Sequence, residues 1–429
     1  MKSIGIDIGT TSICGVVLDS ALGTVIESET INSEAFIHTE NSWEKIQDTE
    51  KIFAIAKGIL DRFLEKHCES VASIGITGQM HGVVYTDERG LAVSPLYTWQ
   101  DARGNLPFEG STYAAHLGSF AGYGNVTDFY NRKNGLVPEN AVSYCTVHDY
   151  FGMRICGNTR PIIHSSDAAS FGLYNPEDKS FNYDYSPEVT NDFTVIGNYR
   201  GIPVSVAIGD NQASVFSTLA DNGSLLINIG TGSQISIVSD KPLSGVGIEA
   251  RPYIDGKYLI VGAALCGGRA YSLLASFYKR VLELAGADSS DVYSLMSRML
   301  SEKSDTDLTV DTRFDGTRAD SGIRGEISGI STDNLTPADL TRGVLRGIIG
   351  ELYGMYCTMG EERCGIVGSG NGIRKNPHLV AEAERIFGGK LRVPAYKEEA
   401  ACGAALFALV AAGVNTLEDV RKLIKYEEN

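Results

Sequence analysis

The chain has 429 residues, 43% of them apolar and 21% charged, which excludes disorder as its main state and allows two well-formed cores. With 37 basic against 53 acidic residues the net charge is −16, a balance that repels phosphate backbones and anionic lipid. Neither nucleic acid nor a membrane is therefore an expected partner.

The amino terminus shows no basic region followed by an apolar signal core, and no apolar run of about 18 residues occurs, so a cytoplasmic protein is expected. In chain order, Ser3 to Ile8 and Ile13 to Leu18 read as strands joined by the turn Gly9-Thr10-Thr11-Ser12. Trp43 to Glu65 has helical periodicity. Val71 to Thr77 is an apolar strand, with Gly82 to Thr86 as its expected partner. Pro203 to Ile208 reads as a buried strand, and a helix begins over Ala213 to Ala220. Leu225 to Ile229, the turn Gly230-Thr231-Gly232-Ser233 and Gln234 to Val238 repeat the grammar of the amino terminus. Ala270 to Ala285 and Pro337 to Thr358 predict helices. Arg363 to Val367, a Gly-rich turn and Pro377 to Phe387 predict strand, turn and helix. Glu398 to Ala412 is a small-residue helix suited to close packing.

Strands alternate with helices throughout, so the class is α/β. Asp7 and Asn228 occupy matching places in the two Gly-Thr segments, 221 residues apart, which predicts a duplicated domain. The Asp221-Asn222-Gly223 turn is the expected boundary, giving domains 1–221 and 222–429. Eight cysteines (14, 68, 145, 156, 266, 357, 364, 402) include no C-x-x-C pair and read as reduced thiols serving as small buried hydrophobes.

Each Gly-Thr turn alone is either an ordinary hairpin or a loop whose N–H groups and hydroxyls wrap phosphate oxygens; two copies favour the second reading. Asp7, at a strand end, can hold a hydrated Mg²⁺ against those phosphates. There is no G-x-x-x-x-G-K-[ST] loop, and Ile373 stands where a dinucleotide fingerprint needs its third glycine. H-E-x-x-H, G-x-S-x-G and Cys/His metal clusters are likewise missing from the sequence. Gln79-Met80-His81 and Trp99-Gln100-Asp101-Ala102-Arg103 gather amide, imidazole, carboxylate and guanidinium groups beside an aromatic ring, the groups that bind sugars. Asp210 falls where a buried strand meets a helix, as either a helix cap or a general base.

Taken together, these segments resemble the FGGY carbohydrate kinases of the actin/hexokinase/heat-shock ATPase superfamily, from about Ser3 to Ala412. The resemblance implies two ribonuclease-H-like domains with a catalytic cleft between them. It also implies transfer of the ATP γ-phosphate to the terminal hydroxyl of a ketose, with Mg²⁺ held by Asp7 and Asp210. Gly9, Thr10, Thr11 and Ser12 match the family's first phosphate loop, and Gly230, Thr231 and Gly232 its second. Gly267, Gly370, Asn371 and Asn376 are the further nucleotide contacts it implies. Gly209-Asp210-Asn211-Gln212-Ala213 matches the catalytic-base segment and makes Asp210 the base. Gln79, Met80, His81, Trp99, Asp101, Arg103, Asp210 and Asn211 are the implied sugar contacts. The combination of TGQMHG, TWQD and GSGN…RKNP is most similar to the branch acting on a seven-carbon ketose, sedoheptulose; a xylulose kinase or another ketose or polyol kinase is the alternative. A filament former or chaperone of the superfamily would lack the sugar segments, and an inactive sensor would lack Asp210. A homodimer is left open.

Overall fold

Apolar alternation at the amino terminus folds into three antiparallel strands, β1 (Lys2–Ile8), β2 (Ser12–Asp19) and β3 (Val25–Asn32). The near-continuous Ile and Val of β1 and β2 are buried, while β3, at the sheet edge, alternates half-buried with exposed positions. The computed structural model describes every residue except 176, 179, 182, 184, 185, 303, 304, 319, 321, 428 and 429, with the side chains of 68 and 302 also set aside.

Helix α1 (Thr49–His67) crosses over so that β4 (Val71–Gly78) lies parallel to β1. The helix starts later than Trp43 because Asp48 Oδ1 accepts from Lys51 N at 2.9 Å, and Ile46–Gln47 pairs as a short strand with Leu96–Tyr97. The expected pairing of Gly82 to Thr86 with Val71 to Thr77 does not form. Both edges of β4 are taken, one by β1 and the other by parallel partners further along the chain. Instead β5 (Val84–Thr86) pairs with β6 (Ser143–Cys145). Helices α2 (Val147–Ile155) and α3 (Ser165–Ser170) follow, then β7 (Val195–Tyr199), β8 (Ile202–Ser205), β9 (Ile208–Gly209) and α4 (Asp210–Thr218). The sheet order is β7-β8-β4-β1-β2-β3, with β9 added to β4.

The chain then repeats this plan. β10 (Ser224–Ile229) and β11 (Ser233–Ser239) form a hairpin, followed by edge strand β12 (Ile248–Pro252) and by β13 (Tyr258–Ala264), antiparallel to β11. After helices α5 (Gly268–Leu284) and α6 (Pro337–Met359), strand β14 (Gly365–Ser369) joins parallel to β10. Helices α7 (Gly370–Lys375) and α8 (Pro377–Phe387) lead to β15 (Leu391–Arg392), giving the order β12-β13-β11-β10-β14-β15. Each sheet thus mixes the two pairings: in the first, β8, β4 and β1 run parallel while β7 closes the far edge antiparallel to β8, and in the second β11 and β13 are antiparallel while β14 is parallel to β10. Each has its own core, centred on Ile4, Ile6, Ile74 and Ile76 in one and on Leu225, Ile227, Ile235 and Ile237 in the other.

Two compact units result. The first holds Met1–Ala220, Arg251–Lys257 and Tyr396–Lys425; the second holds Asp221–Ala250, Tyr258–Ala395 and the residues from Tyr426. The chain first crosses at Ala220/Asp221, and the small-residue helix near the carboxyl terminus belongs to the first unit. The reason is steric. A Cβ on Gly5 or Gly75 would lie 1.9 Å from the carbonyl oxygen of Ala401 or Ala404, so the Glu399–Ala411 helix rests on the bare backbone of β1 and β4. Of the described cysteines, all unpaired, Cys14, Cys145, Cys266 and Cys402 are buried as expected, whereas Cys357 and Cys364 are exposed. Among the described residues, no helix is long and apolar enough to cross a membrane.

Candidate active site

Strand register brings three segments of the first unit together. Asp7 pairs with Thr77, and Thr77 with Ile208; one residue further, Ile8, Gly78 and Gly209 lie side by side. The Gly9–Ser12 turn, Gln79 and Asp210 therefore leave the same edge of one sheet, at the carboxyl ends of parallel strands, where open α/β sheets bind ligands.

A chain of polar contacts joins the predicted phosphate loop to the predicted sugar residues. Trp99 Nε1 donates to Thr10 Oγ1 at 2.9 Å, and Thr10 Oγ1 donates to Gln79 Oε1 at 3.3 Å. Gln79 Nε2 donates to Gln47 Oε1 at 2.9 Å, and Gln47 Nε2 closes the ring on the Thr10 carbonyl at 2.7 Å. Gln47 has no counterpart among the sequence-predicted residues: it lies 37 positions from Thr10, in no motif. Trp99 is 46% exposed, leaving much of its ring surface open.

Two carboxyl groups flank this network. Asp7 Oδ1 is buried without a hydrogen-bond partner, and burial, then Asp210 and Glu398, push the Asp7 carboxyl up to about 7. Asp210 opens α4 and accepts from Asn211 N at 2.7 Å; burial raises its carboxyl above the usual range, although His148 and Arg251 oppose the shift. Ser166 Oγ accepts from Gly209 N at 3.1 Å, and Thr77 Oγ1 donates to the Ile208 carbonyl at 2.6 Å, which fixes the backbone leading into Asp210. Met80 packs against Gly209, where a Cβ would lie 2.5 Å from the Met80 methyl carbon.

His81 has φ of +73°, a left-handed conformation that costs a non-glycine residue and persists where the surroundings enforce it. Its Nδ1 is 2.8 Å from the Ser170 carbonyl, which can only accept, so that nitrogen carries a proton. The ring stacks on Tyr123 at 4.4 Å. Asp101 and Arg103 differ from expectation: each is only 1% exposed, and they face each other. Arg103 Nε and a terminal nitrogen donate to the two Asp101 oxygens at 2.7 and 3.0 Å, and the guanidinium lies 4.3 Å above Tyr97. The two side chains satisfy each other in this arrangement.

In the second unit, Gly230, Thr231, Asn371 and Asn376 line one cavity of about 620 Å³. Gly267 N and Arg269 N both donate to the Thr231 carbonyl at 3.0 Å, and Gly268 N to the Gly230 carbonyl at 2.9 Å, locking the turn onto the start of α5. A Cβ on Gly267 would lie 2.4 Å from the Gly232 carbonyl, and one on Gly370 (φ +83°) 2.5 Å from that of Ile229. Asn376 caps α8, accepting from His378 N at 3.1 Å and Leu379 N at 3.3 Å. The cavity also contains Tyr271 and Tyr293, flat faces for a heterocycle, and the cations Arg269 and Lys375. Net charge gave no hint of these cations, of which Arg269 is paired with Asp315 at 3.0 Å.

Comparison with known proteins agrees with this geometry. Residues 3–108 match the FGGY family of carbohydrate kinases, N-terminal domain, and residues 225–412 its C-terminal domain. The chain is 29% identical to the sedoheptulokinase of Mus musculus, covering 90% of this chain and 92% of that protein. It is 25% identical to a xylulose kinase of Staphylococcus epidermidis, covering 99% and 91%. Among solved structures, the xylulose kinase from Rhodospirillum rubrum superposes with a TM-score of 0.82 at 18% identity, covering 100% of this chain and 93% of that one. The Plasmodium falciparum glycerol kinase with ADP gives 0.78 at 17% identity, covering 100% and 93%. The fold is therefore the actin/hexokinase-like ATPase fold in two domains. This chain belongs to the FGGY family of carbohydrate kinases: it is a phosphotransferase that takes ATP as co-substrate and an alcohol group of a sugar as acceptor.

Proposed function

We propose that the chain phosphorylates the terminal hydroxyl of sedoheptulose, with Asp210 as the base that accepts the hydroxyl proton. The observation that carries the substrate assignment is the 29% identity to mammalian sedoheptulokinase across nine-tenths of the chain. In a loose phosphoryl-transfer transition state the proton leaves late, so the base needs position more than basicity. The tied backbone at Gly209 and the hydrogen bond from Asn211 N provide that position.

Gln79, His81 and Trp99 bind the sugar in this reading, with Trp99 against its C–H face and His81 Nε2 accepting from a hydroxyl. Met80 shapes the floor beside Asp210, and Asn211 adds a polar contact. Asp101 and Arg103 act from behind by holding the loop. Thr10 belongs to both sides of the reaction: its turn, with Gly9, Thr11 and Ser12, supplies N–H and hydroxyl groups to transferring phosphate oxygens. Gly230, Thr231, Gly232, Gly267, Gly370, Asn371 and Asn376 form the nucleotide cavity wall and its turns.

The donors present fit Mg²⁺. Asp7 Oδ1 is a buried, unpartnered hard oxygen whose neighbour is a second carboxylate. Asp7 and Asp210 would hold the ion, which when bound neutralises triphosphate charge.

The test is kcat/KM for sedoheptulose, xylulose, ribulose and glycerol. A missing hydroxyl leaves a buried site group unpaired, at ~1–3 kcal/mol each, so sedoheptulose should lead by about tenfold or more. A lead for xylulose would select the second reading, which the Staphylococcus relative supports at 25% identity over 99% of the chain.

A further inference from the structure

Three side chains outside the proposed sugar, phosphate and Mg²⁺ contacts meet inside the first unit, where His148 and Asp167 also interact electrostatically with Asp210. His148 and Asp149 stand on the first turn of α2, and Asp167 stands on α3; none is more than 2% exposed. One donor atom from each lies within 4.8 Å of the others, and among the described residues this is the one group of three His, Cys, Asp or Glu that does so.

The protein leaves these atoms unsatisfied. Both ring nitrogens of His148, both carboxylate oxygens of Asp167 and Asp149 Oδ1 lack a hydrogen-bond partner. His148 Nε2 and Asp167 Oδ1 are 3.1 Å apart, yet they do not meet at a hydrogen-bonding angle. Buried polar atoms are almost always paired, and unpartnered atoms on all three of these neighbouring residues call for a missing partner.

We propose that His148, Asp149 and Asp167 bind one divalent first-row transition ion of the Mn²⁺ or Zn²⁺ class. Two ligands about 2.1 Å from a metal are about 3.0 Å apart at right angles and about 3.4 Å apart at the tetrahedral angle, a range that includes the 3.1 Å His148–Asp167 separation. One imidazole with two carboxylates is a donor set softer than the all-oxygen shell of Mg²⁺ and harder than a thiolate site. The outer contacts already orient the ligands. Thr146 Oγ1 donates to Asp149 Oδ2 at 2.7 Å and accepts from Asp149 N at 3.1 Å. Room for the ring comes from Gly78, where a Cβ would stand 3.1 Å from His148 Nδ1. Positions 148, 149 and 167 form no spacing motif, and only the fold brings the starts of α2 and α3 together.

The test titrates the chelator-stripped wild-type chain with MnCl₂, without nucleotide or sugar, reading free Mn²⁺ by its paramagnetic resonance signal. The expected result is one ion per chain with micromolar affinity. That affinity should fall by at least about tenfold in Asp167→Asn and His148→Gln and be retained in Asp7→Ala. Absence of any site tighter than millimolar in the wild type overturns the proposal. So does binding that disappears in Asp7→Ala, which would assign the ion to the phosphate-side carboxylate. The wild-type and Asp7→Ala titrations decide the matter even if the two ligand variants fail to fold.

Discussion

Adding one methyl group at Gly75 should damage both stability and turnover. The new Cβ would lie 1.9 Å from the Ala404 carbonyl oxygen and 2.4 Å from its carbon, where contacts under 3.0 Å essentially never occur. The obstacle is helix backbone, so no rotamer change relieves it, and the Glu399–Ala411 helix must lift by about 1 Å. A gap of about 0.5–1 Å already forfeits a quarter to a half of each dispersion contact. Overpacking a core costs ~1–3 kcal/mol, and this contact belongs at the upper end, about 3 kcal/mol. The unfolding transition of the first unit should drop by roughly 6–12 °C. The same helix presents Gly403 to α4, where a Cβ would lie 1.9 Å from the Ala213 carbonyl, so lifting it disturbs the helix that begins at Asp210. Gly75→Ala should therefore lower kcat as well as the melting temperature. Gly350→Ala is the control: on α6, with nothing within 4 Å of a new Cβ, it should stabilise by about 0.5–1 kcal/mol. Calorimetric melts and steady-state kinetics read both variants. A Gly75→Ala melt within about 1 °C of wild type would refute the packing argument.

Gln47→Leu strands the Thr10 carbonyl and Gln79 Nε2, each at ~1–3 kcal/mol, so kcat/KM should fall by about tenfold or more in the kinase assay; unchanged kinetics would remove Gln47 from the site. Burial raises the Glu351 carboxyl from 4.5 to about 7, against Arg313 and with Asp311. Its bound proton stabilises the fold fully below about pH 4.5, and that contribution is lost as pH rises through about 7. Glu351→Gln should thus gain ~1–3 kcal/mol over wild type at pH 8, after discounting for partial exposure, and little at pH 4.5. Urea melts at the two pH values check this, and an equal difference at both would contradict it.

Much of the fold was legible because the signals were local. Apolar alternation around Gly9–Ser12 and around Gly230–Ser233 encodes two hairpins, and their recurrence half a chain apart encodes the duplicated plan. What was hidden depends on contacts between distant segments. Nothing near Gln47 marks it as a partner of Thr10 and Gln79, and nothing in Trp99 to Arg103 says that its carboxylate and guanidinium turn inward on each other while the indole stays exposed. The return of the last long helix to the first unit was hidden for a similar reason. Its alanines and glycine announce close packing, but the complementary glycines, Gly5 and Gly75, lie more than 300 residues upstream. In the cavity of the second unit, folding brings Arg269 and Lys375 together although the chain as a whole is acidic.

The most direct measurement is the turnover of Asp210→Asn, with sugar and ATP affinities determined calorimetrically on the same preparation. Asparagine keeps the side-chain volume and an oxygen for the Asn211 N–H, and it removes the proton acceptor. With only the proton acceptor removed, kcat should be lower by roughly 10²–10⁴-fold with both affinities nearly unchanged. A kcat close to that of the wild type would show that Asp210 only starts a helix, and would contradict the mechanism.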